Sequence, residues 1–298
     1  INMVYGGASC GKASMTSSSS PGMSLKQEGI SYLAGAELPC LLVNVMRGGP
    51  GLGTIQPSQS DYFQTVKGGG HGDYKLITLA PNSVQEMADF VALGFDLAFK
   101  YRNPAIILSD GVIGQMMEKV SLPEFRPRRT EEQIREQCPW ATLGKPATRG
   151  PNIISSLELD ANVMEQNNIR FQAKYAEIEK NEVRYEEINC EDADYILVAF
   201  GSSARVCLKT IDLAREEGIK VGLIRPITLW PFPSKVLSEY ADKVKGMLTV
   251  EMNAGQMVED VRLAVNGKVN VEFFGRLGGI VPTPDQVFEA LKEKVIKK

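Results

Sequence analysis

From about Leu38 onward, short apolar runs alternate with amphipathic stretches of helical period, which is how a parallel sheet covered by helices reads. Residues 40–46 (CLLVNVM), 76–80 (LITLA) and 105–109 (AIILS) have the length and composition of buried strands. Between the last two, Ser83-Val-Gln-Glu86 is a capping box. It opens a helix with Val84, Met87, Ala88, Val91, Phe95 and Ala98 on one face, and Asn103-Pro104 ends it because the residue before a proline is pushed out of the α region. From Glu118 to Pro151 the periodicity dissolves into prolines at 123, 127, 139, 146 and 151, with a basic cluster, Arg126, Arg128 and Arg129, read as solvated surface. A domain boundary is expected there.

Residues 152–189 are mixed in charge and helix-prone, a connecting helical arm. Alternation then resumes, with strands expected over 195–200, 219–224, 247–250 and 269–273. Helices are expected over 204–217, from Ser234, over 256–265 and from Pro284. The expected organisation is therefore an α/β domain over 1–150, the arm over 151–189 and a second α/β domain over 190–298.

Composition narrows the function without naming it. At 298 residues the chain has length for about two domains, and 43% hydrophobic with 23% charged residues is ordinary for a globular protein. No run approaches the roughly 18 apolar residues of a spanning helix, so no membrane is expected as a partner. With 33 basic and 36 acidic residues there is no field to hold a phosphate backbone, which argues against nucleic acid. Cys10, Cys40, Cys138, Cys190 and Cys207 are an odd, scattered set, neither a disulfide framework nor a metal spacing. A single histidine, His71, excludes a site on this chain that needs two imidazoles. No charged-then-apolar leader follows Ile1, so the expected compartment is the cytoplasm. A start at isoleucine implies that an upstream piece exists.

Five stretches carry candidate chemistry. Gly6 to Ala13 (GGASCGKA) nearly matches a phosphate loop, but Ala13 has no hydroxyl for magnesium and the strand-before, helix-after order is wrong, so a helix C-cap followed by a turn is the better reading. Thr16-Ser-Ser-Ser-Ser20-Pro-Gly22 is either a flexible loop or a polar rim around a ligand at strand carboxyl ends. Arg47-Gly-Gly-Pro-Gly-Leu-Gly53 is sharper, because an apolar strand runs straight into one arginine and a stretch where a ligand can approach bare backbone. Its guanidinium suits a carboxylate or a phosphate; the alternative is an arginine that ties down carbonyls of its own loop. Gly68-Gly-Gly-His-Gly-Asp73 and Asp110-Gly111 fit a ligand site or a turn equally well, and no G-x-S-x-G elbow supports a serine hydrolase.

Taken together and in this order, TSSSSPG, GISYLAGAELPC, RGGPGLG, GGGHGDY and LAPNSVQEM resemble the alpha subunit of the 2-oxoacid:ferredoxin oxidoreductases, nearest the branched-chain type that takes 2-oxoisovalerate (3-methyl-2-oxobutanoate). GIKVGLIRPITLWPFP and VEMNAGQMVEDVRLAV are similar to that family's transketolase C-terminal-like domain. The resemblance implies a doubly wound parallel sheet of the pyrimidine type that binds thiamine diphosphate, followed by the transketolase-like α/β domain. It implies an anaerobic-type enzyme that decarboxylates a 2-oxoacid on thiamine diphosphate, reduces ferredoxin through iron-sulfur clusters and delivers the acyl group to coenzyme A. In such enzymes the alpha subunit cups the aminopyrimidine, the beta subunit holds the diphosphate and Mg2+, and a ferredoxin-like subunit carries clusters. No cluster and no metal ligand are expected on this chain, and the alpha-beta unit is expected to self-associate.

Carried over residue by residue, the resemblance puts Arg47 on the substrate carboxylate as the catalytic residue, with Thr16, Ser17 and Leu52 also on the substrate. Ser18, Ser19, Gly22, His71 and Asp73 fall on the cofactor side. Subunits that take 2-oxoglutarate often read RGGPSTG, so an apolar Leu52 would suit a branched aliphatic tail. The family's glutamate for the aminopyrimidine N1' and its substrate loop would lie upstream of Ile1. Alternatives left open are a 2-oxoglutarate or pyruvate enzyme, another thiamine enzyme of the transketolase group such as the beta chain of a lipoyl-linked dehydrogenase, and a non-catalytic scaffold.

Overall fold

The computed structural model describes residues 1–297. In the first half, the apolar runs form β1 Met15–Ser18, β2 Leu41–Met46, β3 Ile77–Leu79 and β4 Ala105–Asp110. In the second half lie β5 Tyr185–Ile188, β6 Tyr195–Val198, β7 Val221–Pro226, β8 Thr228–Trp230, β9 Gly246–Glu251 and β10 Val271–Gly275. Two five-stranded sheets result, in the orders β1-β2-β4-β3-β8 and β10-β9-β6-β7-β5. Within each, four strands are parallel and the fifth, β8 on β3 or β5 on β7, is antiparallel.

Both faces of both sheets are covered, so the strands read as continuous apolar runs rather than as alternating ones. Leu42 and Ile106 pack against Val4, Ala8, Ile30 and Leu33 of helices Asn2–Ser9 and Gln27–Gly35. Their neighbours Leu41, Val43, Ala105 and Ile107 point the other way, toward Phe90, Leu97 and Ala98 of helix Val84–Tyr101. In the second sheet Leu197, Leu223 and Leu248 face Cys207 and Ile211 of helix Gly201–Glu216 and Leu291 of helix Pro284–Leu291. The opposite face, with Ile196, Val198 and Met247, joins the Val84–Tyr101 side of the first sheet in one apolar core.

Several local expectations need correction. Residues 152–189 are not helical throughout: helix Ala161–Asn181 is followed by β5, whose exposed sequence YEEI hides its pairing with β7. The proline-rich stretch contains helix Glu131–Gln137, opened by a capping box of Thr130 and Gln133. Arg129 is not solvated, since its guanidinium lies 4.1 Å from the Phe99 ring centroid and donates to the Gly11 carbonyl. The helix expected from 204 starts at Gly201, immediately after its N-cap Phe200. Along Val84–Tyr101 the fully buried positions are Phe90, Gly94, Leu97 and Ala98, with Met87, Val91 and Phe95 only partly covered.

Charged groups tie the halves together. Ser83 caps the helix through Glu86 N as expected, but the Glu86 carboxylate reaches Asn82 N and then takes both terminal nitrogens of Arg225 at 2.8 and 2.7 Å. Arg225, only 1% exposed, also donates to Glu186 at 2.7 Å. Removing Glu86 leaves the buried Arg225 with only the half-exposed Glu186, and breaking a buried pair in this way costs about 3–5 kcal/mol, the lower end where a second partner remains. Glu86→Ala should therefore lower unfolding stability by roughly 3 kcal/mol in urea titration. Lys209→Ala, which removes an exposed pair to Asp212 on a helix surface, should change it by less than about 0.5 kcal/mol.

Candidate active site at the strand carboxyl ends

Because β1 and β2 are parallel neighbours, their carboxyl ends deliver Ser20 and Arg47 to the same place. The Ser20 hydroxyl accepts from the Arg47 backbone N–H at 3.1 Å and donates to Asp61 Oδ2, which also accepts from Asn44 Nδ2 at 2.9 Å. A serine, an aspartate and an asparagine thus anchor the Arg47 backbone. The guanidinium itself has no hydrogen bond or ion pair among the described residues, and its Nε is shielded from solvent without a partner. It does not hold carbonyls of its own loop.

The glycine loop then doubles back. Thr54 N donates to Gly48 O at 2.8 Å, and Gly53 sits at φ +58 with its α-carbon so close that a Cβ would stand 1.8 Å from that oxygen. The chain continues as Pro57 to Asp61 beneath the second sheet. There Gln59, fully buried, donates from Nε2 to Phe200 O at 2.8 Å and accepts on Oε1 from Ser203 Oγ and Met252 N. Between the halves lies a cavity of about 490 Å³, lined by Ser20, Arg47, Pro50 and Asp61 from one side and Met252, Asn253 and Leu277 from the other. That volume is of the size that takes small organic ligands.

Two carboxylates are buried at strand carboxyl ends, Glu251 on β9 and Asp110 on β4. Glu251, at the end of β9, is pushed above its usual carboxylate value by burial, against the pull of hydrogen bonds from Met257 N at 2.8 Å, Asn253 Nδ2 at 2.8 Å, Val258 N at 3.0 Å and Gln256 N at 3.3 Å. Asp110 is likewise raised by burial, opposed by bonds from Ser202 Oγ, Ser202 N, Ile113 N and Val112 N. It caps helix Gly111–Gln115 and meets the start of helix Gly201–Glu216, so Asp110-Gly111 is a junction between the halves.

The remaining sequence candidates are placed unevenly. Thr16 and Ser17 lie on β1, where Lys26 Nζ bonds Thr16 Oγ1 at 3.0 Å and Ser17 O at 3.1 Å. Ser18 ends that strand, Ser19 is the N-cap of helix Ser20–Ser24, and Gly22 lies within it. Leu52 is 81% exposed at the loop tip and does not line the cavity. His71 and Asp73 line a separate hollow of about 1030 Å³ with Tyr32, Arg102 and Trp140, which shares no residue with the Arg47 cavity. Gly6 to Lys12 is a helix end and turn, with Gly11 N on Ala8 O and Lys12 N on Gly7 O. Missed by sequence reasoning were Asn44, Asp61, Gln59, Met252 and Leu277. Only Asp61 carried a signal, as the single acid between Leu38 and Gly72.

Among the described residues no group of three or more His, Cys, Asp or Glu could hold a metal ion. No helix among them is long and apolar enough to cross a membrane. The two α/β units match the architecture of a thiamine diphosphate-binding enzyme. The chain belongs to the pyruvate flavodoxin/ferredoxin oxidoreductase family. Its thiamine diphosphate-binding domain model (Pyruvate flavodoxin/ferredoxin oxidoreductase, thiamine diP-bdg) matches residues 1–185, and Pyruvate:ferredoxin oxidoreductase core domain II matches residues 193–287.

Among curated relatives, the chain is 55% identical over 279 residues to ketoisovalerate oxidoreductase subunit VorB of Methanothermobacter marburgensis, covering 94% of this chain and 77% of that one. It superposes on 2-oxoglutarate:ferredoxin oxidoreductase from Magnetococcus marinus with a TM-score of 0.78 and 25% identity, covering 98% of this chain and 55% of the other, so it spans about half of that chain. A split gene transketolase matches at TM-score 0.58 and 14% identity over 98% of this chain and 79% of that one, a likeness of fold alone.

The raised value of Glu251 has a definite pH consequence. The folded chain binds this proton more readily than the unfolded one, so the linked stabilisation is complete below the ordinary value of 4.5 and is lost as pH rises through the raised folded value. The stability difference between the native chain and Glu251→Gln should therefore shift against the native chain as pH rises through that window. Urea midpoints of both proteins, taken in steps upward from pH 4, measure it; parallel curves would refute the assignment.

Proposed function

We propose that this chain forms one wall of the active site of a branched-chain 2-oxoacid:ferredoxin oxidoreductase, acting on 2-oxoisovalerate. The unpartnered Arg47 guanidinium facing a ligand-sized cavity carries this reading. The 55% identity to a ketoisovalerate oxidoreductase subunit supports the substrate class.

The residues present fit one side of thiamine diphosphate. The cavity offers an unpaired guanidinium nitrogen, set in a polar lining of Ser20, Ser24, Ser58 and Ser60 whose hydroxyls are bonded within the protein, a surface suited to a polar heteroaromatic group beside an anionic substrate. When bound, the cofactor supplies the nucleophilic carbon and the electron sink for decarboxylation. Ser18, Ser19 and Gly22, which flank Ser20, form the cofactor side of this wall, while the diphosphate and Mg2+ belong to a beta subunit. Iron-sulfur clusters belong to further partners, a reading supported by five cysteines scattered along the sequence with no C-x-x-C pair. Ferredoxin takes the electrons, coenzyme A takes the acyl group, and the assembly works in the cytoplasm.

Arg47 holds the substrate carboxylate and aims the 2-oxo carbon, which is the orientation a bidentate clamp contributes. That carboxylate leaves as carbon dioxide, so binding it too tightly in the ground state would raise the barrier. The Ser20, Asp61 and Asn44 network holds the arginine's backbone still while its head stays available. A charge-assisted hydrogen bond contributes about 1.5–3 kcal/mol. In the assembled enzyme, Arg47→Ala should thus lower kcat/KM for ferredoxin reduction by about ten- to a hundredfold, with Arg47→Lys falling between. Unaltered turnover in Arg47→Ala sinks the clamp and favours a purely scaffolding chain.

A further inference from the structure

Arg47 is the one cation among the described residues that lines the cavity, and it comes from the first sheet. The second half contributes two exposed apolar residues to the lining, Ala254 after β9 and Leu277 after β10, beside the polar Asn253 and Gln256. We infer that Ala254 and Leu277 form the pocket for the substrate's aliphatic tail, and that they, with Leu52 taking no part, set which 2-oxoacid is preferred. This inference rests on the reading of Arg47 as the carboxylate clamp.

Three observations carry it. A 2-oxoacid anchored by its carboxylate must direct its tail away from the anchoring charge, and the second-half lining holds two exposed apolar side chains, Ala254 and Leu277. Met252, only 1% exposed, is held by its backbone, with its O accepting from Gln59 N at 2.9 Å and from Ser58 Oγ at 3.1 Å, so the segment that carries Ala254 starts from a fixed point. Leu277 is 59% exposed yet its loop is pinned, because Gly279 at φ +103 packs so closely that a Cβ there would stand 2.3 Å from the Gln56 Cβ. An apolar side chain held in position at a cavity wall with most of its surface uncovered is suited to receive a branched alkyl group. Leu52, by contrast, projects from the loop tip outside the cavity.

The same wall disfavours a diacid. The distal carboxylate of 2-oxoglutarate would meet Ala254 and Leu277 with no second cation among the described lining residues, leaving a charge desolvated without a partner.

The test uses the assembled enzyme and compares kcat/KM for 2-oxoisovalerate and pyruvate, with ferredoxin reduction as the readout. A methylene in an apolar pocket discriminates by about 10- to 200-fold, so Leu277→Ala should lower the 2-oxoisovalerate-to-pyruvate ratio about tenfold. Leu277→Arg should raise 2-oxoglutarate relative to 2-oxoisovalerate. Ala254→Val, at an exposed position that the fold tolerates, should fill the pocket and also shift the ratio. If Leu277→Ala and Ala254→Val both preserve the ratio, or if Leu52→Ala changes it where they do not, this pocket assignment is overturned. Arg47→Ala run alongside separates the two failures. Loss of turnover there with an unchanged Leu277→Ala ratio rejects only the pocket, whereas full turnover in Arg47→Ala rejects the clamp beneath it.

Discussion

Gln59 is the constraint on which the site depends. It is one fully buried side chain, and its amide and backbone make contacts at 2.8–3.1 Å with Phe200, Ser203, Met252 and Asn253, all in the second half of the chain. An amide with donor and acceptor both engaged in a low-dielectric interior is strongly directional, since any shift leaves a buried polar group unpaired. It therefore sets the register between the segment that follows the glycine loop and the carboxyl ends of β6 and β9. The cavity exists because that register is held. Moving Pro57–Asp61 away would carry Asp61, and with it the anchor of Ser20 and Arg47, out of place.

Around this amide the interface is unusually rich in carboxylates. Glu86 meets Arg225, Asp110 meets Ser202, and Asp260 accepts from Tyr62 at 2.6 Å and from Lys67. Burial raises Asp110 and Glu251, and in both cases backbone N–H groups at helix starts oppose that rise. These acids act as caps and cross-ties, which explains why an acid-rich interface contains no metal-holding cluster among the described residues. Net stabilisation from such ties is modest, but their geometry is specific, and it is geometry that a two-sided cavity needs.

Much of the fold was legible because strands buried on both faces are written as apolar runs, and seven of the ten strands could be read that way. The polar β1, and β5 and β8, were not legible. Tyr185–Ile188 is exposed and acidic, and Thr228–Trp230 is three residues between prolines whose partner, β3, is about 150 positions away in sequence. Arg47 stood out because a charge at the end of a strand, before glycines, has few structural uses. Leu52 misled because its direction is decided by the turn at Gly53, which composition does not reveal. His71 and Asp73 look like Arg47's loop in composition, yet the fold turns them into another hollow.

The same geometry divides the work of recognition between the two halves. In the proposed site the charge that every 2-oxoacid shares is met by an arginine on the first sheet, and the part that distinguishes one acid from another faces side chains that follow strands of the second. A change in the loop after β10 leaves the hydrogen bonds of Ser20, Asp61 and Asn44 intact, so substrate preference can drift without disturbing the clamp. The reverse does not hold. Any change at Ser20 or Asp61 disturbs the anchor of Arg47, and in the proposed clamp Arg47 fixes where every tail begins.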